Sequence, residues 1–237
     1  MSNPYFRFKQ FTIFHDRCAM KVGTDGVLLG AWADTTGAQQ ILDIGTGTSL
    51  IALMLAQRTG LAHIDAVEID EDACIQAREN VRRSPWSERV IVYNCSVQEY
   101  ARACPKRYEL VVSNPPFFEN ASKARDLART LARHSDRLRQ VDILQVAEQL
   151  LDFCGRLAAI YPPEQAKIFQ EKAESFGFYC NRKLCVKPTL DSPPKRILME
   201  LSKSKSPYQE RAIAIESAKH IYTPEFIALI KDFYLKY

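Results

Sequence analysis

The sequence predicts an α/β fold in which a mostly parallel sheet with an antiparallel edge carries helices on both faces. Three observations lead there. From Gln40 to Tyr161, short β-branched runs alternate with segments of helical period. The first strand passes to its helix through a glycine-bearing turn, Gly45-Thr46-Gly47. Beyond the last of these units, two extended runs are joined by a turn-rich loop, the pattern of an antiparallel pair at a sheet edge.

In chain order, Tyr5 to Phe14 (YFRFKQFTIF) alternates with period two and reads as a hairpin or edge strands. Gln40 to Ile44 is the first core strand and Ser49 to Arg58 the first amphipathic helix. Ile64 to Ile69 is the second strand, Glu71 to Arg83 the second helix and Arg89 to Tyr93 the third strand. Arg107 to Ser113 is the fourth, stopped by Asn114-Pro115-Pro116 because proline cannot donate to a sheet ladder. A helix from Val141 to Phe153 leads to the strand Leu157 to Tyr161, and a helix from Glu164 to Phe176 follows. Tyr179 to Lys187 and Arg196 to Ser202 form the extended pair, joined by Pro188 to Pro194. Thr223 caps the last helix, with Pro224 at its first position. With no repeat, low-complexity tract or linker, residues 1–237 read as a single domain.

The 237 residues are 46% apolar and 25% charged, a globular composition. No run approaches the roughly 20 apolar residues of a membrane span. The first 20 residues (MSNPYFRFKQFTIFHDRCAM) lack a secretory h-region, so a cytoplasmic protein with no membrane partner is expected. The seven cysteines, Cys18, Cys74, Cys95, Cys104, Cys154, Cys180 and Cys185, include no C-x-x-C pair, which argues against a disulfide framework and a zinc site. No metal is expected.

Gly45 and Gly47 let the backbone lie against a ligand with no Cβ in the way, and the N–H groups of the following helix would face that ligand's polar atoms. Glu68 follows Asp43 by 25 residues and ends the second strand, where a carboxylate can accept both hydroxyl protons of a ribose. Two cofactors fit. A dinucleotide loop, G-x-G-x-x-G, wants a third glycine where this chain has Leu50. S-adenosylmethionine carries no phosphate and needs only the first glycines and an acid such as Asp43. A ligand-free tight turn is the bland alternative.

Asn114 lies immediately beyond the fourth strand, at the carboxyl edge where open parallel sheets bind ligands. Pro115 restricts Asn114 to an extended backbone and Pro116 fixes the path onward, so the side-chain amide is aimed. That arrangement suits methylation of a planar nitrogen. With the Asn114 side-chain oxygen and the Pro115 carbonyl each accepting an amine hydrogen, the nitrogen lone pair is freed toward the methyl donor, and the two acceptors help most as positive charge builds on nitrogen. Phe117 offers a face for stacking the base. A proline-rich turn with a buried Phe is the alternative.

Asp43, Gly45, Gly47, Glu68 and Asn114 to Phe117 together resemble the motif set of class I S-adenosylmethionine-dependent N-methyltransferases. The run from Phe14 to Trp32 (FHDRCAMKVGTDGVLLGAW) and the downstream Ala132-Arg133-His134 are more particular. They resemble the bacterial valine tRNA (adenine-37 N6) methyltransferase family, and the likeness extends from about Tyr5 to the end. The resemblance implies a Rossmann-like class I methyltransferase with a seven-stranded sheet, acting as a monomer on N6 of adenine 37 in valine tRNA. Carried over by position, Asp43, Gly45 and Gly47 hold the methionine part, Glu68 the ribose, and Thr24 and Asp25 close over the methionine end. Ile69, Ser96, Val97 and Asn114 complete the cofactor set. Ser96 stands where such enzymes usually place an Asp against the cofactor adenine. Asn114, Pro115, Pro116 and Phe117 are the catalytic element. The resemblance also divides the domain into an N-terminal extension and cofactor-closing segment (1–35), a core (36–203) and a C-terminal helical segment (204–237).

The net charge is only +4, but Lys123 to Arg139 carries all of it, with Lys123, Arg125, Arg129, Arg133, Arg137 and Arg139 against Asp126 and Asp136. A second basic cluster comprises Lys183, Lys187, Lys195, Arg196, Lys203, Lys205 and Arg211. Such clusters suit phosphate contact, which gives affinity and orientation but not choice of base. Lys123, Arg125, Arg129, Arg133, His134, Lys195 and Arg196 are the candidate RNA contacts, a solvated surface being the alternative. Within the same chemistry, guanine N2 in ribosomal RNA and a glutamine amide in a release factor are rival substrates. Phe117 argues against the last, since the glutamine-modifying enzymes usually have Tyr there. A nicotinamide-dependent oxidoreductase and a non-catalytic RNA-binding module are the rivals from other classes.

Overall fold

A computed structural model describes residues 3–18, 21–116 and 138–237. The period-two front segment forms an antiparallel hairpin, β1 (Tyr5–Arg7) with β2 (Thr12–Phe14). Phe8, Phe11 and Ile13 are buried. The chain continues as α1 (Thr24–Trp32), β3 (Gln40–Ile44), α2 (Leu50–Arg58), β4 (His63–Glu68), α3 (Glu71–Arg82), β5 (Val90–Asn94), α4 (Val97–Ala103) and β6 (Tyr108–Ser113). After it come α5 (Gln140–Leu150), β7 (Leu151–Tyr161), α6 (Pro163–Ser175), β8 (Tyr179–Thr189), β9 (Arg196–Ser202), β10 (Gln209–Ala218), β11 (Ile221–Tyr222) and α7 (Pro224–Ile230).

The main sheet runs β5-β4-β3-β6-β7-β9-β8-β10-β11. The first five strands are mutually parallel, and β9 is antiparallel to both β7 and β8. The expected seven strands are therefore present, with the expected antiparallel pair. Two further strands lie outside them, because β10 pairs in parallel with β8 and β11 covers the end of β10. The segment 204–237, expected to be helical, is thus corrected. Its stretch from Gln209 to Ala218 is a strand in which Ile213 and Ile215 half-bury on one face against the larger core.

Two helices have no counterpart in the sequence reading. Gly26 to Ala31 of α1 are all buried, so that helix shows no polar face to set a period. The other, α4, has only seven residues. The helix expected to reach Phe153 stops at Leu150, where the chain turns into β7.

Alternate residues of each strand feed two cores. Ile41, Ile64, Leu110 and Ile160 pack beneath α1, α2, α3 and α7. Leu42, Val67, Val111 and Leu157 pack beneath α4, α5 and α6. Burial on both faces explains why these strands read as continuous apolar runs. No helix among the described residues is long and apolar enough to cross a membrane.

Candidate active site

The strand register brings three sequence-predicted residues, Gly45, Glu68 and Asn114, into one row with Asn94. Ile44 is level with Val67 and with Ser113, and Val67 is level with Tyr93. The next residue on each strand is therefore Gly45, Glu68, Asn94 and Asn114, all at the carboxyl edge. In space the order is Asn94, Glu68, Gly45, Asn114, a row about 15 Å long at the usual strand spacing.

The glycine turn has the backbone that its sequence requires. Gly45 lies at φ +70° and Gly47 at φ +56°, the left-handed region that side chains disfavour. Ser49, the residue before α2, shares that region at φ 62°. A Cβ on Gly47 would meet nothing within 4 Å, so the loop faces open space there. Gly45 and Thr46 anchor the turn by donating their N–H groups to the Val67 carbonyl at 2.9 and 3.1 Å.

Asp43 is fully buried beneath this turn. Its Oδ2 accepts the Thr46 hydroxyl at 2.6 Å, while among the described residues its Oδ1 has no hydrogen-bond partner. Burial pushes its carboxyl up to about 7, and the nearby Glu68 carboxylate adds to the rise. The Thr46 hydroxyl and the Ala52 backbone N–H oppose it. A buried Oδ1 with no full hydrogen bond of its own, in a carboxylate beside a turn that is open at Gly47, fits the amino group of a methionine moiety.

Glu68 is half-buried, with both oxygens already oriented. Oε2 accepts the Gly47 N–H at 2.8 Å and Oε1 accepts the Asp70 N–H at 3.0 Å. Each oxygen keeps a second lone pair, which is what two ribose hydroxyls need. Asn94, which no motif in the sequence marks, clamps this corner by donating Nδ2 to the carbonyls of Glu68 and Ile69. Ile69 is 48% exposed, an apolar surface beside the acid that suits one face of an adenine. Ser96 serves as the cap of α4. It accepts the Glu99 N–H at 3.2 Å and donates its hydroxyl to Glu99 Oε2 at 2.7 Å. One lone pair therefore remains on Ser96, and Val97 beside it is buried.

Thr24 and Asp25 form the first turn of α1, which approaches α2 very closely. A Cβ on Gly30 would come within 2.8 Å of Met54 Sδ, and one on Gly26 within 3.0 Å of Leu50. Because Leu50 opens α2 at the end of the glycine turn, this packing brings Thr24 and Asp25 to the same corner. Asp25 Oδ2 accepts from Arg196 Nε at 2.8 Å. Arg196, expected to contact RNA, is thus tied to the cofactor-closing segment, whereas its neighbour Lys195 is exposed. The N-terminal segment is held from the other side by Asn80, fully buried on α3. It donates Nδ2 to the carbonyls of Phe14 and Thr48 and accepts the Phe14 N–H. No local pattern marks an Asn that joins two distant segments.

Beyond β6, Asn114 is partly buried, Pro115 buried and Pro116 exposed. The Ser113 hydroxyl donates to the Ile44 carbonyl at 3.0 Å and fastens this exit to β3. Phe117, Lys123, Arg125, Arg129, Arg133 and His134 lie outside the described residues.

The family model for the methyltransferase small domain matches residues 19–158. The chain is 65% identical over 239 aligned positions to a tRNA1(Val) (adenine(37)-N6)-methyltransferase of Trichodesmium erythraeum, with 100% of both chains covered. It is 49% identical, again with 100% of both covered, to a protein of the same name from Parabacteroides distasonis. Among solved structures, a predicted O-methyltransferase from Agrobacterium tumefaciens superposes with a TM-score of 0.66 at 19% identity, covering 88% of this chain and 96% of that one. At that identity the likeness speaks for the fold.

Proposed function

The chain belongs to the tRNA1(Val) (adenine(37)-N6)-methyltransferase family, and from that premise we propose that it uses S-adenosylmethionine to methylate N6 of adenine 37 in valine tRNA. The observation that carries the site assignment is the level of Ile44 with Ser113, which sets Asn114 beside the glycine turn. S-adenosylmethionine, when bound, supplies a methyl group on a positively charged sulfur.

In this reading Asp43 and the turn from Gly45 to Gly47 hold the methionine amino and carboxylate groups, and Thr24 and Asp25 cover them. Glu68 accepts the ribose hydroxyls. Ile69 and Val97 flank the adenine, with the free lone pair of Ser96 available to its amine. Asn114 and the Pro115 carbonyl orient the target amine by accepting its two hydrogens, which turns the nitrogen lone pair out of conjugation with the ring. Both acceptors interact more strongly as the nitrogen becomes positive, so they favour the transition state over the bound substrate. No strong base is required, because the surplus proton leaves after transfer. Pro116 and Phe117 shape the wall against which the base stacks. The residues of Lys123 to His134, with Lys195, draw in the tRNA by phosphate contact. An adenine in a loop is unstacked at lower cost than one in a duplex, which favours a loop substrate.

The test is incubation of the protein with methyl-labelled S-adenosylmethionine and total tRNA from a strain lacking it. Label recovered as N6-methyladenosine in valine tRNA is the expected result. Label in another nucleoside, or in a protein, would refute this reading.

A further inference from the structure

A second concave surface lies on the outer flank of α3, outside the row of strand ends. It is a cleft of about 380 Å³ lined by Arg17, Ile75, Arg78, Glu79 and Arg82. Ile75, Arg78 and Arg82 stand at i, i+3 and i+7 and so share one helix face. Arg17 is brought against them by its own backbone, whose N–H donates to the buried Gln76 Oε1 at 3.2 Å. Arg78 donates Nε and Nη2 to the Val92 carbonyl at 3.2 and 3.1 Å, which fixes its guanidinium and leaves three of its five donors unspent. The single acid, Glu79, is already engaged by Arg83 at 2.6 Å. Arg83 in turn lies over the Phe14 ring at 4.5 Å. Among the described residues, no ion pair involves Arg17, Arg78 or Arg82.

Three arginines line the cleft against one carboxylate, Glu79, which is shared with Arg83, so the lining is net positive. An anion balances that charge. Ile75, 40% exposed, adds apolar surface to the same lining. Phosphates beside sugar or base surface are what a nucleic acid strand offers such a cleft. The helix that carries it begins just after Glu68, so the cleft runs roughly 6 to 17 Å along α3 from the candidate site.

We propose that the cleft between Arg17, Arg78 and Arg82 docks the phosphate backbone of the tRNA substrate and aligns the strand that enters the active site. This rests on the tRNA methylation proposed above and adds contact residues other than those of Lys123 to Arg139. The test is the double variant Arg17→Glu/Arg82→Glu, with Arg17→Gln/Arg82→Gln as a milder companion, in tRNA binding over a salt series. The Glu variant is expected to bind tRNA about tenfold more weakly, with the slope of log affinity against log salt reduced by about 1.5 to 2. The Gln variant is expected to shift both in the same direction by less. Affinity of both variants for S-adenosylmethionine, by calorimetry, is expected to stay within about twofold of the parent. Unchanged tRNA affinity and slope would overturn the proposal, as would an equal loss of S-adenosylmethionine affinity, which would give Arg17 a structural role only. The two readings fail separately: a parent protein that binds tRNA through these arginines but labels a different nucleoside would refute adenine 37 and leave the cleft standing.

Discussion

Asp25 and Arg196, 171 residues apart in the sequence, meet as an ion pair with Oδ2 and Nε 2.8 Å apart. Asp25 lies in the first turn of α1, the helix packed on the end of the glycine turn, and Arg196 begins β9 at the carboxyl edge of β7. The pair therefore pins the segment proposed to close over the methionine end of the cofactor to the sheet beneath it.

Arg196→Ala is accordingly expected to weaken S-adenosylmethionine binding about fivefold, equivalent to about 1 kcal/mol for a partly exposed pair. Affinity for tRNA is expected to change by less than about twofold. A double-mutant cycle with Asp25→Ala, read by calorimetry, should show that the two effects do not add. Lost tRNA affinity with cofactor binding intact would return Arg196 to the role of an RNA contact.

The raised carboxyl of Asp43 links cofactor binding to pH. A cationic amino group favours the ionised form, so affinity is expected to rise with pH until about 7 and then level off. Below that pH, binding should release a proton, measurable as a buffer-dependent heat. The same shift has the opposite consequence for the empty protein. A folded-state pKa above the unfolded value means that the native state holds the extra proton between about 4 and 7. Stability therefore falls as pH rises through that window. Asp43→Asn is expected to flatten both profiles, raising the thermal midpoint at pH 8 while weakening cofactor binding.

Asn114→Ala is expected to lower methyl transfer by about 10² to 10³, the usual effect of removing one oriented polar partner of a transition state. Cofactor affinity should stay nearly intact. Single-turnover rates with saturating tRNA check the first and calorimetry the second, and undiminished turnover would refute the role given to Asn114.

Asp65 provides a contrast far from the reacting groups. It is 2% exposed, and its Oδ2 accepts from Tyr100, Tyr108 and Lys106 at 2.8, 2.6 and 2.6 Å. Asp65→Ala removes the shared acceptor of two buried hydroxyls, which keep only their contact with each other, and of the part-exposed Lys106, so denaturant unfolding is expected to show a loss of about 2 kcal/mol. S-adenosylmethionine affinity at low temperature should be unchanged.

The site residues that the sequence exposed were those with a local cause. Gly45 and Gly47 are legible because only glycine takes positive φ without strain, Asn114 because two prolines follow it, and Glu68 because it ends a strand after a glycine turn. The same holds for most of the fold, since apolar period alone marks β3 to β7 and most of the helices between them. Where that signal is missing, the sequence marks no element. The fully apolar α1 has no period, and the charged ends of β10 hide two isoleucines that pack.

The sequence by itself determined the alternation of strand and helix, the glycine turn after β3 and the Asn114-Pro115-Pro116 element that ends β6. Each of these follows from the conformational limits of a few adjacent residues. Only the tertiary structure decided that Arg196 faces Asp25, that Asn80 ties Phe14 to Thr48, that Asn94 clamps the Glu68 corner, and that Arg17 joins Arg78 and Arg82 around one cleft. Those meetings depend on strand register and helix packing, set by the burial of the two cores as a whole, and no run of neighbouring residues encodes them.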